Sequence, residues 1–336
     1  MIEQVALVLN RAVANKIEIK QIPVKDLQPN EVRVRIKSAA LNHRDEWCRQ
    51  GLYPNISDGI TLGSDGSGIV EAVGDKVAQN WLGKEVIINP AMNWGDNEAA
   101  QSAEFLILGM PQHGTFATFV QVPVDRLHEK PPHLNWHEAA ALPLGGVTAF
   151  RALVVKGEAK SGQKVLVTGF GGGVAQFAVQ FALALGMETY VSSSDPRKIQ
   201  VAKDLGAKAG FDYHSEHWVG QSLEMTGGFD LVIDSAMGNT LGNLVKVTKP
   251  GGSIVFFGAT KGNPESVDVR KLFWSQIKLI GTTMGSDRDF SQMLELVAKH
   301  QIRPILDSVT PLERAVEAFD KMKAGNQLGK LVLQVS

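Results

Sequence analysis

Residues 165–186 read VLVTGFGGGVAQFAVQFALALG, and this stretch restricts the fold more than any other. An apolar strand runs into Gly169, Gly171, Gly172 and Gly173, and an apolar helix pattern follows with no linker between them. A second strand, ETYVSSS at 188–194, closes a strand–helix–strand unit. Backbone without side chains at a strand-to-helix turn lets a pyrophosphate approach the main chain, and the helix N-terminus then supports its charge. The spacing is G-x-x-G-x-x-A through Gly169, Gly172 and Ala175, with Val174 where a strict fingerprint has its last glycine. Alanine serves at the final place because that residue packs helix on strand instead of touching phosphate. A tight turn alone would explain the glycines but not the strand before them, the helix after them and the closing strand. The pattern predicts dinucleotide binding, with Gly169, Gly171, Gly172, Gly173 and Val174 as the phosphate turn.

The end of the second strand selects the dinucleotide. NAD-binding folds place an acid there for the ribose 2′-hydroxyl. This chain has Ser192, Ser193 and Ser194, with Arg197 and Lys198 within the next helical turn. Hydroxyls and cations suit a 2′-phosphate, so NADPH is the predicted cofactor, with Ser193, Ser194, Arg197 and Lys198 around that group. Asp195 precedes Pro196 and reads as the N-cap of the next helix.

Around this unit the chain changes rhythm. EVRVRIKSAAL alternates Val32, Val34 and Ile36 with Arg33, Arg35 and Lys37, the period of a half-buried strand. GSGIVEAV, GKEVIINP and GTFATFVQVP are further short strands bounded by Gly, Pro and Asn. After Pro123, helical spacing sets in (NWHEAAALPLGGVTAFRALV), and then strands KVLVTG, ETYVSSS, FDLVIDS, GSIVFFG and KLIGTTM alternate with helices. Such alternation predicts a parallel sheet covered on both faces. Two helices and a last strand, KLVLQV, follow residue 284, and that strand is expected to rejoin the β-rich part. The expected division is a discontinuous β-rich domain of residues 1–122 and 288–336 around a nucleotide domain of 123–287. Residues 91–113 form a long irregular segment, of a length that usually serves a function or an interface.

Composition removes several classes of protein. Net charge is −1 with both signs interspersed, so no basic stripe points to nucleic acid. No apolar run approaches the ~18 residues of a membrane helix, and MIEQVALVLNRAVANK lacks the layout of a secretory signal. Cys48 is the only cysteine, which excludes an internal disulfide and a cysteine-rich zinc site and points to a reducing cytoplasm.

These residues resemble the medium-chain dehydrogenase/reductase superfamily along essentially the whole chain, and within it the zinc-free quinone oxidoreductase branch. The resemblance is carried by LNHRDEWCRQGLYP (41–54), LGSDGSGIVEAVG (62–74), AALPLGGVTAFRAL (140–153), the glycine turn, FDLVIDSAMG (229–238) and LGKLVL (328–333). It implies a doubly wound parallel-sheet (Rossmann) nucleotide domain and a GroES-like catalytic domain. It places Asn42, Ser64 and Leu144 at the positions of the catalytic zinc ligands, and residues 91–113 at a structural zinc lobe that here has no cysteine. No metal is therefore expected. It further implies Thr148 beside the nicotinamide, Tyr213 beside the 2′-phosphate, Phe257 and Gly258 near the nicotinamide ribose, and Lys330 facing the cofactor or Asp45. Tyr53 and Asn42 fall in the family's catalytic segment.

Without zinc no Lewis acid holds an alkoxide. A Tyr-x-x-x-Lys device is also missing, since none of Tyr53, Tyr190 and Tyr213 has lysine four residues on. Hydride delivery to a quinone or an α,β-unsaturated carbonyl needs less: orientation, dry walls and one hydrogen-bond donor. The expectation is an NADPH-dependent reductase of such small molecules, with Tyr53 as donor to the developing oxyanion and Asn42 as a positioning group. Alternatives are a 2-enoyl thioester reductase and a crystallin-like NADPH-binding protein with little turnover. A homodimer joined along KLIGTTM is expected, because an edge strand with few charges invites pairing. Cys48 reads as a buried structural residue.

Overall fold

The structure, a computed structural model, describes residues 2–336 and divides into two compact units, 1–144 with 286–336, and 145–285. In the first unit β1 (Glu3–Leu9) and β2 (Ile17–Pro23) form an antiparallel pair. The main sheet uses β3 (Glu31–Ala40), β4 (Asp65–Val73), β5 (Glu85–Ile88), β8 (Phe119–Pro123), β9 (Leu127–Glu129), β16 (Leu306–Pro311) and β17 (Lys330–Gln334). Its order is β16–β17–β3–β4–β5–β9, with β8 also on β3. Between β5 and β8, β6 (Ala91–Met92) and β7 (Leu106–Ile107) pair within the 91–113 segment.

The alternation of β3 becomes two faces. Val32, Val34 and Ile36 are fully buried in the core, where Phe116 meets Phe319 edge-on at 6.1 Å. Arg33 and Arg35 project the other way and pair with Glu71 on β4. The final strand returns as expected: β17 pairs antiparallel with β3, matching Val332 to Ala40 and Leu333 to Ala39.

The domain boundaries differ from the sequence expectation. Residues 123–144 belong to the first unit, not to a nucleotide domain starting at 123. Here β9 pairs with β5, and α2 (Trp136–Ala141) packs on β3, β4 and β17 through its alanine face. The Ser67 hydroxyl also donates to the Trp136 carbonyl. The change to helical period at Pro123 marks a change of element, not of core. Ser286 and Asp287 likewise fall in the first unit, where Ser286 caps α9 (Asp287–His300) and Asp287 pairs with Arg126. The unit is completed by α1 (His43–Gln50) and α10 (Ala315–Ala324).

The second unit is a six-stranded sheet in the order β12–β11–β10–β13–β14–β15, with every pairing parallel. Its strands are β10 (Lys164–Val167), β11 (Glu188–Ser192), β12 (Ala209–Phe211), β13 (Phe229–Asp234), β14 (Thr248–Phe256) and β15 (Lys278–Gly281). Counted from β10, this is the 3-2-1-4-5-6 order of a dinucleotide-binding sheet, with its switch point between β10 and β13. The sequence reading found five of these strands and missed β12, whose three residues Ala-Gly-Phe carry no periodic signal. The helices are α3 (Pro143–Phe150), which begins at the unit boundary, α4 (Gly173–Ala184), α5 (Pro196–Asp204), α6 (Trp218–Thr226), α7 (Leu241–Val247) and α8 (Val269–Trp274). A π-helical turn, Arg151–Lys156, extends α3, and Phe150, Phe177 and Phe181 pack together between these helices. No helix among the described residues is long and apolar enough to cross a membrane.

Gly114 is the tightest backbone approach in the first unit. A Cβ there would lie 1.9 Å from the Gly63 carbonyl oxygen and 2.6 Å from the Gly109 Cα, both main-chain atoms that cannot step aside. Gly114→Ala should lower stability by about 3 kcal/mol. Gly220→Ala, in α6 with open space around it, should raise stability by about 0.5–1 kcal/mol. Urea denaturation of both variants checks this, and an unchanged midpoint for Gly114→Ala contradicts the packing argument.

Candidate active site

In the second unit the glycine turn has the form a phosphate needs. Gly169 and Gly171 have φ of 61° and 129°, a region side chains disfavour. Gly172 is the N-cap of α4 and brings no side chain to occupy the amides of the first turn. A Cβ on Gly172 would meet nothing nearer than the Gly169 carbonyl at 3.8 Å, so the space beside Gly172 is open. Twelve residues of α4 stand behind those amides with no acid in the first turn. A pyrophosphate fits this cradle through Gly172, Gly173 and Val174. The switch point is braced from below. The Thr168 hydroxyl donates to Asp234 Oδ1 (2.5 Å), and Asp234 Oδ2 accepts the amides of Ala236 and Met237.

The residues chosen for the 2′-phosphate gather at the ends of β11 and β12. Tyr213 donates from its hydroxyl to Ser194 Oγ at 3.0 Å, and Ser193 Oγ accepts the Asp195 amide. Lys198 lies directly over the turn, with its Cδ and Nζ 2.6 and 3.0 Å from where a Gly171 Cβ would stand. Arg197 is placed differently. Its side chain is 88% exposed and holds Asp195 through Nε and Nη2. Asp195 caps α5, as expected, and its hydrogen bonds from Arg197 push its pKa down to about 2. Phe257 and Gly258 follow directly on β14, with Phe257 donating its amide to the Asp234 carbonyl. Thr148 is buried on α3, its hydroxyl 4.0 Å from Met284 Sδ.

The first unit holds a buried charged cluster. Asp65 is fully buried, and its Oδ2 accepts from Lys330 Nζ (2.9 Å) and from Asn42 Nδ2 (3.0 Å). Lys330 also donates to Asn42 Oδ1 at 2.8 Å, so both ends of the Asn42 amide are engaged. This corrects the expected partner of Lys330, which hydrogen-bonds Asp65 and Asn42 instead of Asp45. The lysine at the start of β17 reaches the residue that opens β4, and the adjacent N-cap asparagine shares it.

Arg44 is the residue that sequence reasoning missed. It is buried, with Nη1 donating to Ser64 Oγ (2.6 Å) and the Leu108 carbonyl (2.7 Å), and Nη2 to the carbonyls of Ile107 (3.4 Å) and Met110 (3.2 Å). Its Nε donates to the Tyr53 hydroxyl at 3.4 Å, and its guanidinium carbon stands 4.9 Å from the Tyr53 ring centroid. Ser64 Oγ in turn donates to the Leu108 carbonyl. An arginine at the start of a polar helix reads as solvent-facing, and only the tertiary structure turns it inward.

The donor set does not fit a catalytic zinc. The two polar side chains at the expected ligand positions, Asn42 and Ser64, are amide and hydroxyl, each already bonded to a cation. Leu144 offers no side-chain ligand, and its amide donates to Asp65 Oδ1. No group of three His, Cys, Asp or Glu residues among those described could hold a metal ion. Cys48 is fully buried, and burial pushes its pKa up to about 12, with the Asp45 charge adding to the rise, so it is no nucleophile.

The chain belongs to the medium-chain dehydrogenase/reductase superfamily. Residues 28–132 match the alcohol dehydrogenase GroES-like domain and residues 173–299 the zinc-binding dehydrogenase family. A zinc-type alcohol dehydrogenase-like protein, YogA, from Leptosphaeria maculans is 38% identical over 91% of each chain. The quinone oxidoreductase of Mus musculus is 26% identical over 91% of this chain and 89% of its own length. Among solved structures, an NAD-dependent alcohol dehydrogenase superposes with a TM-score of 0.94 at 35% identity, covering 99% of this chain and 100% of its own. The 2-octenoyl-CoA carboxylase reductase CinF, solved with NADP and 2-octenoyl-CoA, gives 0.87 at 25% identity over 99% of this chain and 87% of its own. The chain is therefore an oxidoreductase of this superfamily, with a GroES-like and a Rossmann-type domain.

Asp45 carries the largest electrostatic strain in the cluster. It is fully buried, its Oδ2 accepts the Asn42 amide, and its Oδ1 has no partner. Burial pushes its pKa up from 3.8 to about 6, the Asp65 charge adds to the rise, and Arg44, the Asn42 amide and Lys330 oppose it. Because the folded state keeps this proton longer than the unfolded chain, Asp45 makes stability fall as pH rises from 3.8 to about 6. Asp45→Asn should remove on the order of 3 kcal/mol of that loss. Denaturation at pH 4 and pH 7 checks it; equal pH dependence in variant and wild type refutes it.

Proposed function

We propose that this chain is an NADPH-dependent, zinc-independent reductase of quinones or α,β-unsaturated carbonyls. The observation that carries the reading is the state of the two polar ligand positions. Asn42 is locked to Lys330 and Asp65, and Ser64 to Arg44, so neither is free to coordinate. Acceptors that delocalise incoming charge need only orientation and hydrogen bonds. Likeness to a quinone oxidoreductase supports such an acceptor, and likeness to an enzyme solved with NADP and 2-octenoyl-CoA supports a 2-enoyl thioester as the second reading. The NAD-dependent structural relative argues for the other dinucleotide. Against it stand Ser193, Ser194, Tyr213 and Lys198, a hydroxyl and ammonium set suited to a 2′-phosphate, with the nearby Asp195 occupied as a helix cap.

The glycine turn would hold a pyrophosphate on the first amides of α4, with Thr148, Phe257 and Gly258 toward the nicotinamide half. Bound there, NADPH supplies a hydride. Tyr53 would keep its proton and donate a hydrogen bond to the acceptor's carbonyl oxygen as negative charge develops there, and water would supply the proton that completes the reduction. The amide of Asn42 would position the acceptor through the one N–H that Asp65 does not take. In solution the chain forms a homodimer along β15, where Leu279 is exposed, as are Val269, Phe273 and Trp274 of α8; a monomer by light scattering refutes this.

Fluorescence titration should show tighter binding of NADPH than NADH, and Gly172→Glu should abolish both, since a carboxylate enters the phosphate space. Equal or tighter NADH binding would sink the cofactor assignment. Activity should survive chelators, and stoichiometric zinc by elemental analysis would overturn the metal assignment. Tyr53→Phe should lower kcat for enones by ~10²–10³-fold with NADPH affinity unchanged, and should affect quinones less, because their reduced product is the weaker base. Unchanged kcat for both classes would leave Tyr53 a turn residue.

A further inference from the structure

We propose that Arg44 is a positioning residue that fixes the direction in which Tyr53 donates its hydrogen bond. This rests on the reading of Tyr53 as the donor to the acceptor's oxygen. The two terminal nitrogens of the Arg44 guanidinium are held by Ser64 Oγ and the carbonyls of Ile107, Leu108 and Met110, which fix the plane of the fork. One N–H remains, on Nε, and it points to the Tyr53 oxygen at 3.4 Å while the cation lies 4.9 Å from the centre of the ring.

A phenol has one proton and an oxygen that accepts. Arg44 can only donate, so the contact uses the acceptor side of the Tyr53 hydroxyl and forces its proton to point elsewhere. Among the described residues no acceptor takes that proton. Tyr53 is half-buried, packed against the core of the first unit, so part of it stays accessible and its proton is left for a ligand. Arg44 itself has no carboxylate within ion-pair distance among the described residues. Its hydrogen bonds go to neutral carbonyls and a hydroxyl, and its charge acts on the buried Asp45 as well as on the phenol it faces. Lysine could not do this, since an ammonium has neither the planar fork nor a fifth N–H along a fixed direction.

The test is a double-mutant cycle with a second readout independent of turnover. Enone reduction is measured in wild type, Tyr53→Phe, Arg44→Gln, Arg44→Lys and Tyr53→Phe/Arg44→Gln. Arg44→Gln should lower kcat by ~10–10²-fold, within the range of one lost oriented donor, with KM for NADPH unchanged. In the Tyr53→Phe background it should cost nothing further. Arg44→Lys keeps the charge among the carbonyls and guards against a variant that fails to fold; matched melting curves establish this, and kcat should fall here too. Equal losses of Arg44→Gln in both backgrounds would overturn the proposal, as would full activity of Arg44→Gln. The protein labelled with 3-fluorotyrosine reports the contact itself. The ¹⁹F resonance assigned to Tyr53 by its loss in Tyr53→Phe should move in Arg44→Gln and Arg44→Lys, and an unmoved resonance refutes the pairing whatever the kinetics. A moved resonance with a kinetically silent Tyr53→Phe refutes instead the donor reading, and the positioning role falls with it.

Discussion

Four segments of the first unit converge on one buried carboxylate. Asp65, the first residue of β4, accepts the Leu144 amide on Oδ1 and both the Asn42 side chain and Lys330 on Oδ2. Those partners are the end of the unit's leading segment, the cap of α1 and the opening residue of β17, 265 positions away in sequence. With Asp65 fully buried and Lys330 2% exposed, water screens the pair little. Removing either charge would leave the other buried and unpaired, a loss of about 3–5 kcal/mol. Such a pair need not stabilise the fold more than apolar residues of the same shape. Its effect is to specify: β17 must enter the sheet where its lysine meets Asp65, and Asn42 must present its amide in one orientation.

The same physics explains what the sequence could and could not reveal. The glycine turn was legible because its signal is local: glycines, strand and helix lie within 22 residues, and the positive φ of Gly169 and Gly171 demands glycine there. Val32, Val34 and Ile36 were legible because a period of two survives any tertiary arrangement. The strand β12 was not, since three residues cannot show a period. Nor was the interior of α1. His-Arg-Asp-Glu-Trp-Cys-Arg-Gln reads as a solvated helix, yet Arg44, Asp45, Glu46 and Arg49 are all buried. Each is buried by a partner that the local pattern does not contain or does not mark as inward. Arg44 uses carbonyls more than 60 residues on, and Arg49 joins Glu46 to Asp320. Family resemblance brought Lys330 into the site but gave it the wrong acid, because Asp45 and Asp65 both lie near it and only geometry separates them.

At the end of β11 the structure shifts weight among residues the sequence treated alike. Arg197 and Lys198 are adjacent cations on the first turn of α5, but Arg197 is spent on Asp195 while Lys198 folds back over Gly171. The division follows from helix geometry, in which neighbours in sequence point about 100° apart. One faces the cap, the other the phosphate turn. Asp195, the residue that argued against a 2′-phosphate, is held by its own helix and by Arg197, which reduces its field toward the serines.

Two of the buried cations of the first unit, Lys330 and Arg44, are satisfied by different means, and that difference accounts for the segment 91–113. Lys330 takes a carboxylate, whereas Arg44 takes three main-chain carbonyls, all from 107 to 110 at the far end of this segment. Carbonyls can point at a guanidinium only if the chain bearing them is held rigidly. The segment is anchored at its near end by Arg126, which binds the Ala91 carbonyl and Asp287, and by Ser286, whose hydroxyl donates to Glu98. Between the ends, Trp94 packs edge-on against Phe105 at 5.4 Å, and β6 pairs with β7. A lobe without a single cysteine thus keeps its shape through one aromatic pair, two strand fragments and an arginine clamp. What it delivers to the cluster is the set of oxygens that lets a charged arginine stay buried with no carboxylate in direct hydrogen bond to it. A carboxylate in place of those carbonyls would neutralise Arg44 and bind the fork from one side, leaving no reason for Nε to face Tyr53.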